Sequence, residues 1–217
     1  MLRLGLTGGE DAAALAAVAG AIRAGGVAIL PSDTLYGFSA RYDHPAAIAR
    51  IAALKGRANG APFLLLIADR RDLALLTAEP PPAAALDLVW PGPVTLLLHS
   101  RPELLPLLRG PADTVAVRWP RDRRLQALIA AIGMPIISTS VNRQGELPLA
   151  DPDLIAAVFG AAIDVLADGG SLAGGRASTI IDLTADPPVL VRAGAASVDL
   201  ERLARLVRQA RSGGRES

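Results

Sequence analysis

The chain has 217 residues, enough for one sizeable core, and its formal charge of +1, from 22 Lys plus Arg against 21 Asp plus Glu, excludes a global basic field aimed at a polyanion. Aromatic residues make up 3 %, too few for a nucleic-acid surface built on stacked bases. There is no cysteine, which removes disulfides, thiol nucleophiles and thiolate metal sites; with no signal-like N-terminus and no apolar run of roughly 20 residues, a cytoplasmic location without membrane contact is expected.

Residues 10–25 have a helical period and stop at the Gly25-Gly26 pair, after which VAILP (27–31) reads as a buried strand entering a polar loop. Asp43 is placed to cap a helix with Pro45 in its first turn, on which Ile48, Ile51 and Leu54 share one face. Lys55 and Arg57 then fall at its end, projecting out of the fold. Further strands are expected at FLLLIA (63–68), VTLLLH (94–99), TVAVRW (114–119), PIISTS (135–140), IDVLAD (163–168), STIIDL (178–183) and PVLVR (188–192). Helices are expected over 72–78, 83–89, 122–132, 153–159 and 198–208. Apolar β-branched runs alternating with Ala/Leu stretches of helical period define an α/β fold class. No linker divides the chain, so one domain over 1–208 is expected, with 209–217 as a disordered polar tail.

Several strands end in hydroxyl or cationic residues: VAILP-SDT, TVAVR, PIISTS-VN and VLVR. Ligands of α/β sheets bind at the carboxyl ends of strands, so these ends suggest one polar site assembled from several loops. The chain has 21 arginines and a single lysine, Lys55. No Gly precedes that lysine as a P-loop requires, and neither a GxGxxG fingerprint nor a GxSxG elbow occurs. His44 and His99 lack metal-site spacing, Asp113, Asp151, Asp153 and Asp168 lie where turns and caps want them, and no general base stands out. Lys, Arg, Ser, Thr and Asn remain, a set that suits an anionic ligand or a phosphoryl or nucleotidyl transfer achieved by positioning and charge.

PSDTLYGFSA resembles the P-T-[DE]-T-x-Y-G-L signature of the YrdC-like family of L-threonylcarbamoyladenylate synthases, and KGR resembles its K-x-R. WPGPVTLLL, TVAVRWP, STSVNRQGE and STIIDL with VLVRAG resemble the remaining blocks, in order, from about Gly26 to Gly194. The resemblance implies a single open, twisted, mixed-sheet domain with flanking helices and a concave cationic cavity, of the short single-domain type. It also implies a nucleotidyltransferase that makes threonylcarbamoyl-AMP and pyrophosphate from L-threonine, bicarbonate and ATP. Its product would pass to a tRNA threonylcarbamoyl transferase complex for the threonylcarbamoyladenosine modification of tRNA, with a weak tRNA contact by this chain as a further expectation. By matching positions, Thr34, Arg118, Ser138 and Ser178 would hold threonine. Arg57, Thr114, Ser140, Asn142 and Arg192 would hold ATP, Lys55 and Arg57 would act as the catalytic cations, and Tyr36 would close the cavity wall. Mg²⁺ is expected to arrive with ATP, held mostly by phosphates and water and by no dedicated protein ligands.

The sequence departs from the family pattern in places. Ser32 stands where Thr is common, Ala58 where Pro follows K-x-R, Ala61 where many members have Asn, and Leu66 where many have His. Two other readings compete: an RNA-binding module without catalysis, and a carbamoyl-adenylate-forming domain with another acceptor, as in hydrogenase maturation proteins.

Overall fold

The computed structural model describes residues 1–6, 11–56, 62–172 and 175–213. Among these, ten strands form one mixed sheet. In chain order they are β1 (Leu2–Gly5), β2 (Ala28–Leu30), β3 (Gly37–Arg41), β4 (Leu64–Leu66), β5 (Val94–His99), β6 (Thr114–Arg118), β7 (Ile136–Ser140), β8 (Val165–Asp168), β9 (Thr179–Asp182) and β10 (Val189–Arg192). Their spatial order is β1-β8-β2-β3-β7-β4-β6-β5-β9-β10. The pairs β1/β8, β8/β2, β4/β6 and β5/β9 are parallel and the other five antiparallel. The helices are α1 (Asp11–Arg23), α2 (Pro45–Lys55), α3 (Ala83–Val89), α4 (Arg123–Ile132), α5 (Pro152–Phe159) and α6 (Leu200–Gly213).

Successive side chains of a strand point to opposite faces, so the pairing register sorts the sheet into two sides. On one side Ile29, Phe38, Ile137, Leu65, Val117, Leu96 and Ile181 lie beside one another across seven strands. They join Ile48 and Ile51 of α2, Leu86 of α3, Ile155 and Phe159 of α5, and Leu203 and Val207 of α6 in the larger core. Each such side chain taken from water contributes roughly 1.5–3 kcal/mol. On the other side a second cluster packs Ala28, Leu30, Val165 and Ala167 beneath Val18 and Ile22 of α1 and Leu125, Leu128, Ile129 and Ile132 of α4. The 125, 128, 129, 132 spacing gives α4 its single apolar stripe, and Asp122 caps it by accepting from the Arg124 and Leu125 amides. This cluster covers the β1, β8 and β2 end of that side, reaching Leu66 and Ile136 at its border. Further along, the same side of the sheet becomes a cavity floor.

Every strand expected from the sequence is present, and two more join them. β1 is a short edge strand; β3, with the sequence GFSAR, has little β propensity and is a strand because β2 and β7 pair with it on both sides. Three expectations are corrected. His44, not Asp43, occupies the cap position of α2, because the Asp43 carboxylate is held by Arg41 at 2.8 Å from Nε. The expected helix at 72–78 is a 3₁₀ helix over Arg70–Leu75, fixed by reciprocal capping between Asp69 and Asp72. α6 continues to Gly213, so the first part of the expected tail is helical, and 214–217 lie outside the described residues.

Candidate active site

The cavity has a volume of about 530 Å³. Its floor follows from the two-residue period: Gly37 on β3, Ser138 and Ser140 on β7, Leu64 on β4, Ala116 and Arg118 on β6, and Thr95 and Leu97 on β5 all face one side. Ser178 and Ile180 at β9, then Val191 and Arg192 of β10, close the far wall. A Cβ at Gly37 would sit 2.6 Å from the Ser138 hydroxyl, so a larger residue there would push that side chain aside. The floor is thus apolar in the middle, where Leu64, Leu97, Ala116 and Ile180 meet, and polar at its ends.

Arg118 forms one polar end. The residue is 2 % exposed, and its guanidinium donates from Nε to the Gly92 carbonyl at 3.1 Å and from one terminal nitrogen to Thr34 Oγ1 at 2.9 Å. The other terminal nitrogen donates to Asp33. Burial pushes the Arg118 pKa down from its ordinary value, and the Asp33 carboxylate acts against that shift. A guanidinium has five N–H donors, so these three bonds leave two for a carboxylate in the cavity. The Ser32 hydroxyl gives its proton to the Leu35 carbonyl at 2.7 Å, so at the 3.0 Å contact between Ser32 and Thr34 it is Thr34 that donates. With its proton given to Ser32 and one lone pair taken by Arg118, Thr34 keeps one lone pair for a ligand N–H. Ser32 thus supplies a hydroxyl at the position where the family pattern places one.

Lys55 organises the second end from behind the wall. It is 5 % exposed, which corrects the expectation that it projects from the fold. Gly56, in the left-handed region at φ 63°, ends α2 there, and the lysine turns inward to donate to the Ser140 carbonyl at 2.7 Å and to Asn142 Oδ1 at 2.6 Å. Ser140 also donates to Asn142 Oδ1 at 2.6 Å, while the Asn142 amide nitrogen donates to the Arg143 and Glu146 carbonyls. The Gln144 amide donates to the Lys55 carbonyl at 2.8 Å, which ties the whole 140–146 loop to the end of α2. At the third corner Arg192 donates twice to the Ser178 carbonyl, at 2.8 and 3.1 Å, and the Ser178 and Thr95 hydroxyls meet at 2.8 Å. Tyr36 is fully buried; it donates to the Gly170 carbonyl at 2.8 Å and accepts from the Gly169 amide at 2.9 Å, and burial pushes its pKa up.

Thr34, Tyr36, Arg118, Ser138, Ser140, Asn142, Ser178 and Arg192 all line the cavity. Thr114 does not: it begins β6, two pairs of residues before Arg118, and its hydroxyl donates to the Pro111 carbonyl at 3.0 Å. Arg57, Ala58 and Ala61 lie outside the described residues. Leu66 is sealed into the apolar cluster under α1 and α4, so it extends the core and presents nothing to the cavity. Asp33, Thr95 and Glu146 do not stand out in the sequence. All three lie inside quoted motifs, and strand alternation from Leu97 would have placed Thr95 on the floor.

The Sua5/YciO/YrdC profile, described as "Telomere recombination", matches residues 20–194. The chain belongs to that family. It is 36 % identical over 195 residues to a protein of Pyrococcus abyssi named threonylcarbamoyl-AMP synthase, covering 89 % of this chain and 57 % of the relative. The crystal structure of P. abyssi Sua5 complexed with L-threonine superimposes with a TM-score of 0.86 at 32 % identity, over 95 % of this chain and 61 % of that one. The crystal structure of Escherichia coli YciO matches with a TM-score of 0.80 at 27 % identity, over 92 % of this chain and 97 % of that one. The chain therefore spans about three fifths of the P. abyssi protein and nearly the whole length of YciO.

Proposed function

We propose that this chain is an L-threonylcarbamoyladenylate synthase. The observation that carries the reading is the arrangement of one cavity, with a buried Arg118 and Thr34 at one end, and Ser140 and Asn142 backed by Lys55 at another. Similarity to proteins named threonylcarbamoyl-AMP synthase, and to a structure holding L-threonine, supports it.

In this reading the two remaining N–H groups of Arg118 take the threonine carboxylate, and the lone pair of Thr34 accepts from the threonine amine. Ser138 and Ser178 complete that subsite. The neutral amine attacks the carbon of bicarbonate, water leaves, and a carbamate forms. A carbamate oxygen then attacks the α-phosphorus of ATP, and the bond to the bridging oxygen breaks to release pyrophosphate. Ser140, Asn142, Arg192 and Arg57 hold the nucleotide, and Lys55 adds positive charge behind them as negative charge gathers at phosphorus. The apolar middle of the floor keeps water from the carbamate. Mg²⁺ would enter with the triphosphate. Among the described residues no three His, Asp or Glu cluster as a metal cage, and Glu146 is the one carboxylate on the lining, which fits an ion bound chiefly by phosphates and water. The product, a mixed anhydride, would be handed to a threonylcarbamoyl transferase acting on tRNA. No helix among the described residues is long and apolar enough to cross a membrane, and a cytoplasmic site of action suits that substrate.

The test is incubation of the protein with ATP, Mg²⁺ and labelled bicarbonate, with and without L-threonine, followed at once by chromatography for a labelled adenylate and by a pyrophosphate assay. The reading predicts an adenylate that needs threonine. An adenylate formed only with another amine would move the chain to a different acceptor, and none from folded protein would remove the reading.

A further inference from the structure

We propose that Asp33 is a positioning residue for the amino-acid subsite, setting the guanidinium of Arg118 in the one orientation that presents its remaining N–H groups to the cavity. The proposal rests on the reading above, in which Arg118 takes the threonine carboxylate.

Asp33 is not among the residues that line the cavity. Its carboxylate instead joins two loops. One oxygen accepts from the Arg118 terminal nitrogen, and the other from the Arg121 amide at 3.3 Å. The Arg118 side chain is 3 % exposed and that of Asp33 17 %, so water competes weakly for the pair. A fork of five donors has several ways to satisfy itself. The Gly92 carbonyl fixes Nε and Thr34 fixes one terminal nitrogen, yet both acceptors are neutral, and Thr34 must also serve the ligand. Asp33 supplies the charged anchor on the side away from the ligand. Were it absent, the threonine carboxylate would compete with Thr34 and Gly92 for a fork free to turn, and the carbamate would form out of line with the nucleotide. The anchor also partly neutralises Arg118, so a role confined to charge predicts the opposite result: removing Asp33 would tighten carboxylate binding.

Calorimetric titration of L-threonine, and separately of ATP with Mg²⁺, into the wild-type chain, Asp33→Asn and Asp33→Ala separates these roles, with thermal melting run alongside. Positioning by a charged anchor predicts threonine affinity roughly tenfold weaker in Asp33→Ala, weaker by a smaller factor in Asp33→Asn, which retains an acceptor but loses the charge that holds the fork, and ATP affinity unchanged in both. Unchanged or tighter threonine binding in Asp33→Ala overturns the proposal, as does equal loss of threonine and ATP affinity. If Asp33→Ala does not fold, Asp33→Asn decides through the Arg118 Nε–H resonance of the ligand-free protein, assigned by its loss in Arg118→Lys. Hydrogen exchange at that group is expected to be slow in wild type and faster in the Asp33 variant, and equal protection overturns the proposal. The same resonance keeps the two readings apart. Wild type that binds no threonine would sink the proposed function, while the exchange contrast alone would still decide whether Asp33 anchors Arg118.

Discussion

Two halves of one side of the sheet carry the same strand alternation and opposite chemistry. Under α1 and α4 the inward positions are Ala28, Leu30, Val165 and Ala167; on the other half they are Gly37, Ser138, Ser140, Thr95 and Arg118. The boundary is not a break in the sheet, since β3 pairs with β2 as regularly as with β7. The difference lies in what the side chains meet: helices on one half, a cavity with hydrogen-bonded polar ends on the other. Stability and ligand binding should therefore separate along this boundary.

The largest effect is expected from Arg118→Ala, which removes the proposed partner of the threonine carboxylate and leaves Asp33 uncompensated; threonine-dependent kcat/KM should fall by about a thousandfold or more, read by pyrophosphate release. Leu128→Ala, on the helix-covered half, should cost roughly 2–5 kcal/mol in urea unfolding, with KM for threonine and ATP unchanged in the folded fraction. A change in either KM would erase the boundary between the halves. Leu66→His probes the border. The imidazole would enter an apolar cluster without a partner, so stability should drop by roughly 1–3 kcal/mol with no gain in substrate affinity. Improved affinity would mean that this position reaches the cavity.

Strand alternation and the order of the motifs make most of this fold and site legible in the sequence itself. Strand runs such as TVAVR and PIISTS carry their own period, and helix 122–132 shows its cap and stripe in the sequence. What stays hidden depends on partners distant in the chain. GFSAR is a strand only between β2 and β7, and Asp33 has meaning only beside an arginine 85 residues away. The sequence places Lys55 outward because helical period identifies a face and not what packs against it, and the acceptors come from the 140–146 loop.

That loop divides the cavity's own ends as well. Lys55→Ala leaves the Ser140 carbonyl and the Asn142 amide without their cationic donor and removes positive charge behind the nucleotide, so kcat should fall and KM for ATP rise, each roughly tenfold, while KM for threonine moves less. The smallest effect is expected at Thr114, whose hydroxyl serves Pro111; Thr114→Val should change KM for ATP by less than about twofold, and a larger rise would return this residue to the nucleotide site.

Whether the open half of the sheet joins threonine to a nucleotide can be read from exchange of labelled pyrophosphate into ATP, measured with threonine and bicarbonate supplied together, singly or not at all. Exchange is predicted only when both are present, and it should be lost in Arg118→Ala. Exchange that ignores threonine, or persists undiminished without Arg118, would contradict the assignment.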